Sequence, residues 1–201
     1  MITGAKFWDD RKYFFSQVNN PSEELLRKTG AVGWLETCGP TAAVTCMAVL
    51  GYDLTIRCPG SYQPQPEEVL SDFLNDPRNY LDLAKERADI PPDRLPNNRV
   101  PQYYPLAVAR VFGAQAFFTW LTDPVNLAKY LTEGRAVQIC LEKPGHYLAA
   151  IAYDGDQDEV VFNDPWPDQH PDRNGFNRRI ARMKLWENQK RFAVVYTGRG
   201  T

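Results

Sequence analysis

The sequence predicts an α+β protein in which helices come first and an antiparallel sheet follows. Two observations lead to this class. Helical segments, several of them opened by proline, dominate up to residue 113, and short apolar segments separated by turns, typical of strands, dominate after it. Runs of one element type followed by runs of the other favour the α+β class. The 201 residues, 43% of them hydrophobic, suit a single domain over 1–201.

Residues 1–37 are expected to form an irregular N-terminal segment. Lys12–Gln17 is expected to be a short strand, and Ser22–Lys28 a capped helical turn that ends near Gly30. The N-terminus lacks the apolar core of a secretory signal, and no apolar run is long enough to span a membrane. We therefore expect no membrane insertion and a cytoplasmic location, with delivery outside the cell by another route left open.

The composition argues against several classes of function. A formal net charge of −2 gives no basis for binding nucleic acid or an anionic membrane. The cysteines are too few and too scattered for a disulfide scaffold, and no Cys-x-x-Cys pair indicates zinc. We therefore expect no zinc site, and nothing in the composition calls for another metal or for an organic cofactor. The four cysteines are Cys38, Cys46, Cys58 and Cys140.

A cysteine opens the most apolar helical segment of the chain. Gly39 is expected to let the backbone turn tightly, Pro40 suits a first helical turn, and Gly51 can end the helix. Cys38 then lies at a helix N-terminus, where unpaired N–H groups and the helix dipole favour an anion. A thiolate is favoured there, which makes Cys38 a candidate nucleophile. A buried structural cysteine is the alternative.

The segment 53–105 holds more than half of the 16 prolines. Within and just after it, Pro66–Leu74, 78–89 and Tyr103–Phe112 have the pattern of short helices, the last of which ends at Gly113. Proline-rich connections between short helices indicate an ordered insertion rather than a flexible linker.

The sequence after residue 113 predicts a strand, then a helix and then further strands of a sheet. The helix is expected at Asp123–Thr132, and Asp154-Gly155-Asp156 has the composition of a hairpin turn. A polar loop is expected over 164–177. The expected strands are Gln115–Trp120, Ala136–Glu142, His146–Tyr153, Glu159–Asn163 and Arg191–Thr197.

A thiol nucleophile needs a base, and the base needs an orienting group. His146 opens one expected strand and Asp164 closes the next, so antiparallel pairing brings both to the same end of the sheet. Asp164 could then bind the imidazole and fix its tautomer. Asn163 is a substitute, but strand alternation turns its side chain the other way. The alternatives are a structural histidine at 146 and an Asp-Pro turn at 164.

The ordered set resembles the papain-like cysteine peptidases of the C39 type, including the broad C39-like group and its bacteriocin-processing peptidases. Three motifs carry the resemblance: Cys38-Gly39-Pro40-Thr41-Ala42 before a helix, Gly145-His146-Tyr147 before a strand, and Asn163-Asp164-Pro165-Trp166 after the next strand. The resemblance implies a papain-like fold, with the nucleophile's helix packed on a C-terminal sheet. It assigns Cys38 as nucleophile, His146 as general base and acid, and Asp164 as the orienting residue. It does not extend to 53–105.

The family also uses a glutamine upstream of its cysteine as an oxyanion donor. The segment directly before Cys38 contains none, and the nearest is Gln17 in Phe14-Phe15-Ser16-Gln17-Val18. Residues 20–33 would then form an extra loop. Gln17 could donate its amide N–H beside the Cys38 backbone N–H. A surface glutamine without a catalytic role is the alternative.

The predicted function is a cysteine peptidase or amidohydrolase that works through a thioester acyl-enzyme. Its substrate would be a peptide, a protein or a peptidoglycan peptide, and acyl transfer would need the same residues. A papain-fold binding module without turnover is the alternative from another class.

Two further patterns carry little weight. His170 lies in the polar loop and is expected to be an exposed histidine. A metal site built from His170 and the surrounding aspartates lacks a second histidine, and Asp154-x-Asp156-x-Asp158 lacks the glycine and glutamate of a calcium loop.

Overall fold

The computed structural model describes residues 1–19, 37–56, 64–86, 90 and 94–198. Three sequence features, the helical turn at Ser22–Lys28, Cys58 and the proposed loop over 20–33, lie outside these residues. The described helices are α1 (Cys38–Val49), α2 (Pro66–Asn75), α3 (Pro77–Glu86), α4 (Tyr104–Phe112), α5 (Pro124–Thr132) and α6 (Arg182–Asn188). The strands are β1 (Ile2–Gly4), β2 (Gln115–Trp120), β3 (Ala136–Leu141), β4 (Tyr147–Asp154), β5 (Glu159–Asn163), β6 (Arg178–Ala181) and β7 (Gln189–Thr197).

The strands form one antiparallel sheet in the order β2-β7-β3-β4-β5-β6, and β1 pairs with the far end of β4. The helices α1 to α4 precede every strand of this sheet except β1 in the chain. The α+β class expected from the sequence is therefore confirmed. Strand β4 lies between β3 and β5, and nearly all of its side chains are buried.

The sheet separates two hydrophobic cores. On one face, Tyr147, Ala149 and Ile151 of β4 pack in the larger core, which contains α1 and α4. On the other face, Leu148 and Ala150 pack in a smaller core with residues of α5 and α6. The alternation along β4 follows from the two-residue period of a strand. Helix α1 is buried on all sides, as its uniformly small and apolar sequence allows.

The helices of the segment 53–105 pack into the same core as α1. Leu70 and Leu74 of α2 and Leu83 of α3 are fully buried there. A single domain over 1–201 with an insertion at about 53–105 stays a prediction, but the described part of this segment shares the main core.

Two expectations for the secondary structure were wrong. Lys12–Gln17 does not form a strand: a 3₁₀ turn covers Arg11–Tyr13, because the Asp10 side chain accepts a hydrogen bond from the Lys12 N–H at 3.1 Å and closes the turn. The N-terminal segment also contains β1, and its three residues are too few to show the alternation that predicts a strand. The remaining helices and strands fall within a few residues of their predicted bounds where they are described, and β6 and α6 were not predicted.

No helix among the described residues is both long and apolar enough to cross a membrane.

Glu67→Gln is expected to stabilise the protein at neutral pH. Burial in the first turn of α2, together with the nearby charge of Glu68, raises the pKa of the Glu67 carboxyl from 4.5 to about 7. The folded protein therefore keeps this proton up to about pH 7, whereas the unfolded chain releases it near pH 4.5, and stability falls as the pH rises between these values. Glutamine removes that loss.

Urea denaturation should show a gain in the free energy of unfolding of up to about 3 kcal/mol at pH 8, which is the shift of the Glu67 pKa converted to energy. At pH 4 the gain should vanish, because the carboxyl is protonated in both states. An equal change at both pH values would contradict this account of Glu67.

Candidate active site

Cys38 is the first residue of α1 and is almost completely buried. The Thr41 hydroxyl donates to the Thr37 carbonyl oxygen at 2.8 Å, which fixes the chain on either side of the cysteine. The thiol thus lies at the N-terminal end of a twelve-residue helix, where the helix dipole stabilises negative charge.

Gly39 serves a different purpose from the tight turn expected of it. It lies within the first turn of α1, and a Cβ at this position would overlap the Tyr104 hydroxyl and lie 2.9 Å from the Asn98 carbonyl oxygen. Tyr104 donates its hydroxyl hydrogen to that same oxygen at 2.9 Å. Gly39 is therefore required by the close approach of α4 and the residues before it, not by its backbone angles.

A buried glutamine holds the start of α1 on the sheet. Gln138 of β3 donates its amide to the Gly39 carbonyl oxygen at 2.9 Å, and its own amide oxygen accepts the Tyr196 hydroxyl of β7 at 2.8 Å. Gln138 and Tyr196 are fully buried. This pair of hydrogen bonds fixes the position of Cys38 relative to the strands.

His146 lies immediately before β4 and is buried. Gly145 has a left-handed φ of 85°, which lets the chain turn into the strand. The His146 carbonyl oxygen accepts a hydrogen bond from Leu141 N–H at 2.7 Å, so the backbone of this residue is held against the end of β3.

The structure brings His146 and Asp164 together. The Nε2 atom of His146 lies 2.6 Å from Oδ1 of Asp164, and both side chains are buried. Asp164 directly follows β5, and Ala149 of β4 pairs with Asn163, so the antiparallel register places the two residues at the same sheet end. Asn163 faces elsewhere and accepts a hydrogen bond from Asn177 N–H at 2.8 Å.

The electrostatics of His146 follow from these neighbours. Burial by itself lowers the pKa of His146, but hydrogen bonds and charge interactions with Asp164 and Cys38 outweigh it and raise the pKa from 6.5 to about 9. The imidazole therefore lies close enough to both the carboxylate and the thiol for each of them to raise its pKa. At neutral pH the ring favours its protonated form.

The carboxylate of Asp164 has two more donors, and one of them was missed by the sequence analysis. The Trp166 N–H donates to Oδ1 at 2.8 Å, and Nε2 of His170 lies 2.9 Å from Oδ2. The expectation of an exposed loop histidine at 170 was wrong, because its side chain is only 19% exposed and binds Asp164. The sequence shows only that Asp164 and His170 share one polar loop, and no periodic pattern in an irregular loop predicts that their side chains meet.

Gln17 lies against the same loop. Its backbone N–H donates to the Pro165 carbonyl oxygen at 2.9 Å, and the Ser16 hydroxyl reaches that oxygen at 3.3 Å. The Gln17 side chain is completely buried, and neither its amide nitrogen nor its amide oxygen has a hydrogen-bond partner in the described part of the chain. Gln17 is therefore a buried residue next to Pro165 and not a surface glutamine, and its amide has no hydrogen-bond partner among the described residues.

Residues 1–19, 37–56, 64–86, 90 and 94–198 contain no group of three His, Cys, Asp or Glu side chains that could hold a metal ion. The Asp154–Asp158 segment lies in the turn between β4 and β5. Its carboxylates bind protein partners: Asp154 pairs with Arg179, and Asp158 pairs with Arg182.

A helix that begins with a cysteine, packed against an antiparallel sheet that carries a histidine–aspartate pair, defines the papain-like class of peptidase folds. The chain belongs to the peptidase C39-like family: the family model described as "Peptidase_C39 like family" matches residues 13–194. The suspected family is therefore confirmed, and a peptide or protein substrate is the one that this family implies. A search of curated proteins found no match.

Two solved structures are similar to this one. A Bacillus anthracis protein described as C39-like aligns over 100% of both chains with 12% identity and a TM-score of 0.51. The peptidase domain of Streptococcus ComA, a bifunctional ABC transporter involved in quorum sensing, aligns with 13% identity over 82% of this chain and 93% of that one, with a TM-score of 0.48. The first of these supports the same fold for the present chain.

Gly39→Ala is expected to destabilise the protein, although alanine is the better helix former. The added Cβ would meet the Tyr104 hydroxyl, and relieving this overlap should cost about 1 to 3 kcal/mol. Tyr104→Phe removes the oxygen that stands in the way. In a double-mutant cycle measured by urea denaturation, the two changes together should cost less than the sum of their separate effects. Additive costs would show that the Tyr104 hydroxyl is not what excludes a side chain at position 39.

Proposed function

We propose that the protein is a cysteine peptidase or amidohydrolase that cleaves a peptide or amide bond through a thioester acyl-enzyme. Cys38 is the nucleophile, His146 the general base and acid, Asp164 the orienting residue and Gln17 an oxyanion donor. The observation that carries the proposal is the buried His146–Asp164 pair, whose histidine lies near the thiol at the start of α1.

The hydrogen bonds of His146 support this division of roles. Its Nε2 atom is bound to Asp164, which leaves Nδ1 as the nitrogen that can exchange a proton with the sulfur. A carboxylate accepts hydrogen bonds and donates none, so Nε2 carries a hydrogen. Asp164 thereby fixes the tautomer and the orientation of the ring, as the third member of a triad does.

The reaction begins with a thiolate and a protonated imidazole. Transfer of the Cys38 proton to His146 produces this pair. Burial lowers the pKa of His146, but its neighbours Asp164 and Cys38 outweigh burial and raise that pKa to about 9, so the ring holds a proton at neutral pH. The sulfur attacks the substrate carbonyl carbon, and the carbonyl oxygen becomes an oxyanion. His146 then gives its proton to the leaving amine, and the thioester forms.

Water completes the cycle. His146, now neutral, takes a proton from water, the resulting hydroxide attacks the thioester, and the acid leaves as Cys38 regains its starting state. Through both steps the oxyanion needs donors. The backbone N–H of Cys38 and the unpartnered amide of Gln17 are proposed to supply them.

Cys38→Ala should abolish hydrolysis of a peptide library or of cell-wall fragments, because no other group replaces the nucleophile. Cys46→Ala, in the same helix, is the matched control and should retain activity. In the wild type the rate should fall as the pH rises through about 9. His146, whose pKa is about 9, then loses the proton that the leaving amine requires.

Mass mapping of Cys38 after iodoacetamide treatment at several pH values distinguishes a reactive catalytic thiol from an ordinary one. A thiolate paired with His146 reacts well below neutral pH, whereas an ordinary thiol reacts only near pH 8 and above. Labelling of Cys38 only at high pH, together with no cleavage of any substrate, would favour a binding module. Cleavage of cell-wall fragments without cleavage of linear peptides would identify a peptidoglycan hydrolase.

Gln17→Ala should lower kcat by about 10²–10³ with little change in KM, as loss of one oxyanion donor does. Gln17→Glu should be at least as impaired, because it adds a negative charge where one develops. Iodoacetamide alkylation passes through no oxyanion, so the labelling rate of Cys38 should stay unchanged in both variants. A parallel loss of labelling and turnover would mean that Gln17 supports the cysteine's surroundings and not the oxyanion.

A further inference from the structure

We propose that His170 is a positioning residue of the active site, which holds Asp164 through Oδ2 while Oδ1 holds His146. This inference rests on the proposed function, since it assigns a residue that supports its triad. It extends that function to a second histidine that the ordered Cys–His–Asp motif does not include.

The two oxygens of Asp164 have separate tasks. Oδ1 accepts from His146 Nε2 at 2.6 Å and from the Trp166 N–H at 2.8 Å. Oδ2 accepts from His170 Nε2 at 2.9 Å. Without His170, one oxygen of a buried carboxylate would lose the only donor that the described residues give it. The group could then rotate to share its remaining donors or find water, and either change moves Oδ1.

The loop that carries His170 is built to return to Asp164. The Asp164 N–H donates to the Gly175 carbonyl oxygen at 2.8 Å, and a Cβ on Gly175 would overlap the Asp164 carbonyl oxygen. The backbone of His170 is fixed within this closed loop, because its N–H donates to Pro167 at 3.0 Å and its carbonyl oxygen accepts from Arg173 N–H at 2.9 Å. The imidazole is therefore presented to Asp164 by a constrained backbone.

The hydrogen bond survives both protonation states of His170. A carboxylate donates no hydrogen, so the hydrogen between Nε2 and Oδ2 belongs to His170 whether the ring is neutral or charged. A donor of this kind differs from an arginine or lysine, which would always place a full positive charge beside Asp164. The neutral ring can hold the carboxylate in place while leaving its negative charge to His146.

The test compares His170→Ala with His170→Gln. Glutamine can place an amide N–H about where Nε2 of the imidazole lies, so it keeps the donor and removes the ring. Exposed Gln169, one residue earlier in the same loop, provides the control Gln169→Ala. Displacements that begin outside the reacting atoms can cost about 10²-fold in rate.

We expect His170→Ala to lower kcat about tenfold to a hundredfold with KM within about twofold of the wild type, and to slow iodoacetamide labelling of Cys38 at pH 6 several-fold. His170→Gln should recover most of both losses, and Gln169→Ala should behave as the wild type. An alanine variant with unchanged kcat and labelling would overturn the proposal. So would a glutamine variant as impaired as alanine, because His170 would then serve only to fill or fold the loop.

Iodoacetamide labelling of Cys38 distinguishes a failure of this proposal from a failure of the proposed function. If the wild type cleaves no substrate but labelling at pH 6 depends on His146 and falls in His170→Ala, the positioning role stands and hydrolysis fails. If His146→Ala leaves labelling unchanged, the proposed triad fails, and the positioning role fails with it.

Discussion

The buried carboxylate of Asp164 is the constraint around which the site is built. A carboxylate removed from water is strongly unfavourable unless hydrogen bonds replace its hydration. Asp164 has three such bonds, from His146, Trp166 and His170. Each donor comes from a different local structure: the residue before a strand, the residue after an Asp-Pro step, and the residue that follows a 3₁₀ turn at Pro167–Gln169. The need to satisfy one carboxylate thus ties the strand ends and the loop over 164–177 into one rigid unit.

A second rigid unit holds the thiol. The start of α1 is fastened to the sheet by Gln138, which binds the Gly39 carbonyl oxygen and the Tyr196 hydroxyl. Since Gln138 lies on β3, and β3 pairs with both β7 and β4, the helix carrying Cys38 and the strand that begins after His146 share one frame. The sheet therefore positions the start of α1 relative to the strand that follows His146, while Asp164 orients the imidazole itself.

Local patterns predicted most of this architecture, and contacts distant in sequence explain what they missed. The apolar run after Cys38 and the strand lengths on either side of residues 154–156 predicted where Cys38, His146 and Asp164 lie, because helix ends and antiparallel register are local or nearly local properties. The roles of Gly39 and His170 depend on Tyr104 and Asp164, which no periodicity connects to them. β1 has three residues and becomes a strand only because β4 pairs with it.

The segment 53–105 illustrates how far such distant contacts extend. The sequence marks it as an insertion, yet the Asn98 carbonyl oxygen lies beside Gly39 and accepts the Tyr104 hydroxyl, and the Arg99 carbonyl oxygen accepts the Tyr147 hydroxyl at 3.3 Å. These contacts fall on the residues next to Cys38 and His146. The segment therefore packs next to both halves of the site. Its described residues thus contribute to the positions of Cys38 and His146 through backbone carbonyl oxygens, which no side-chain pattern in the sequence reveals.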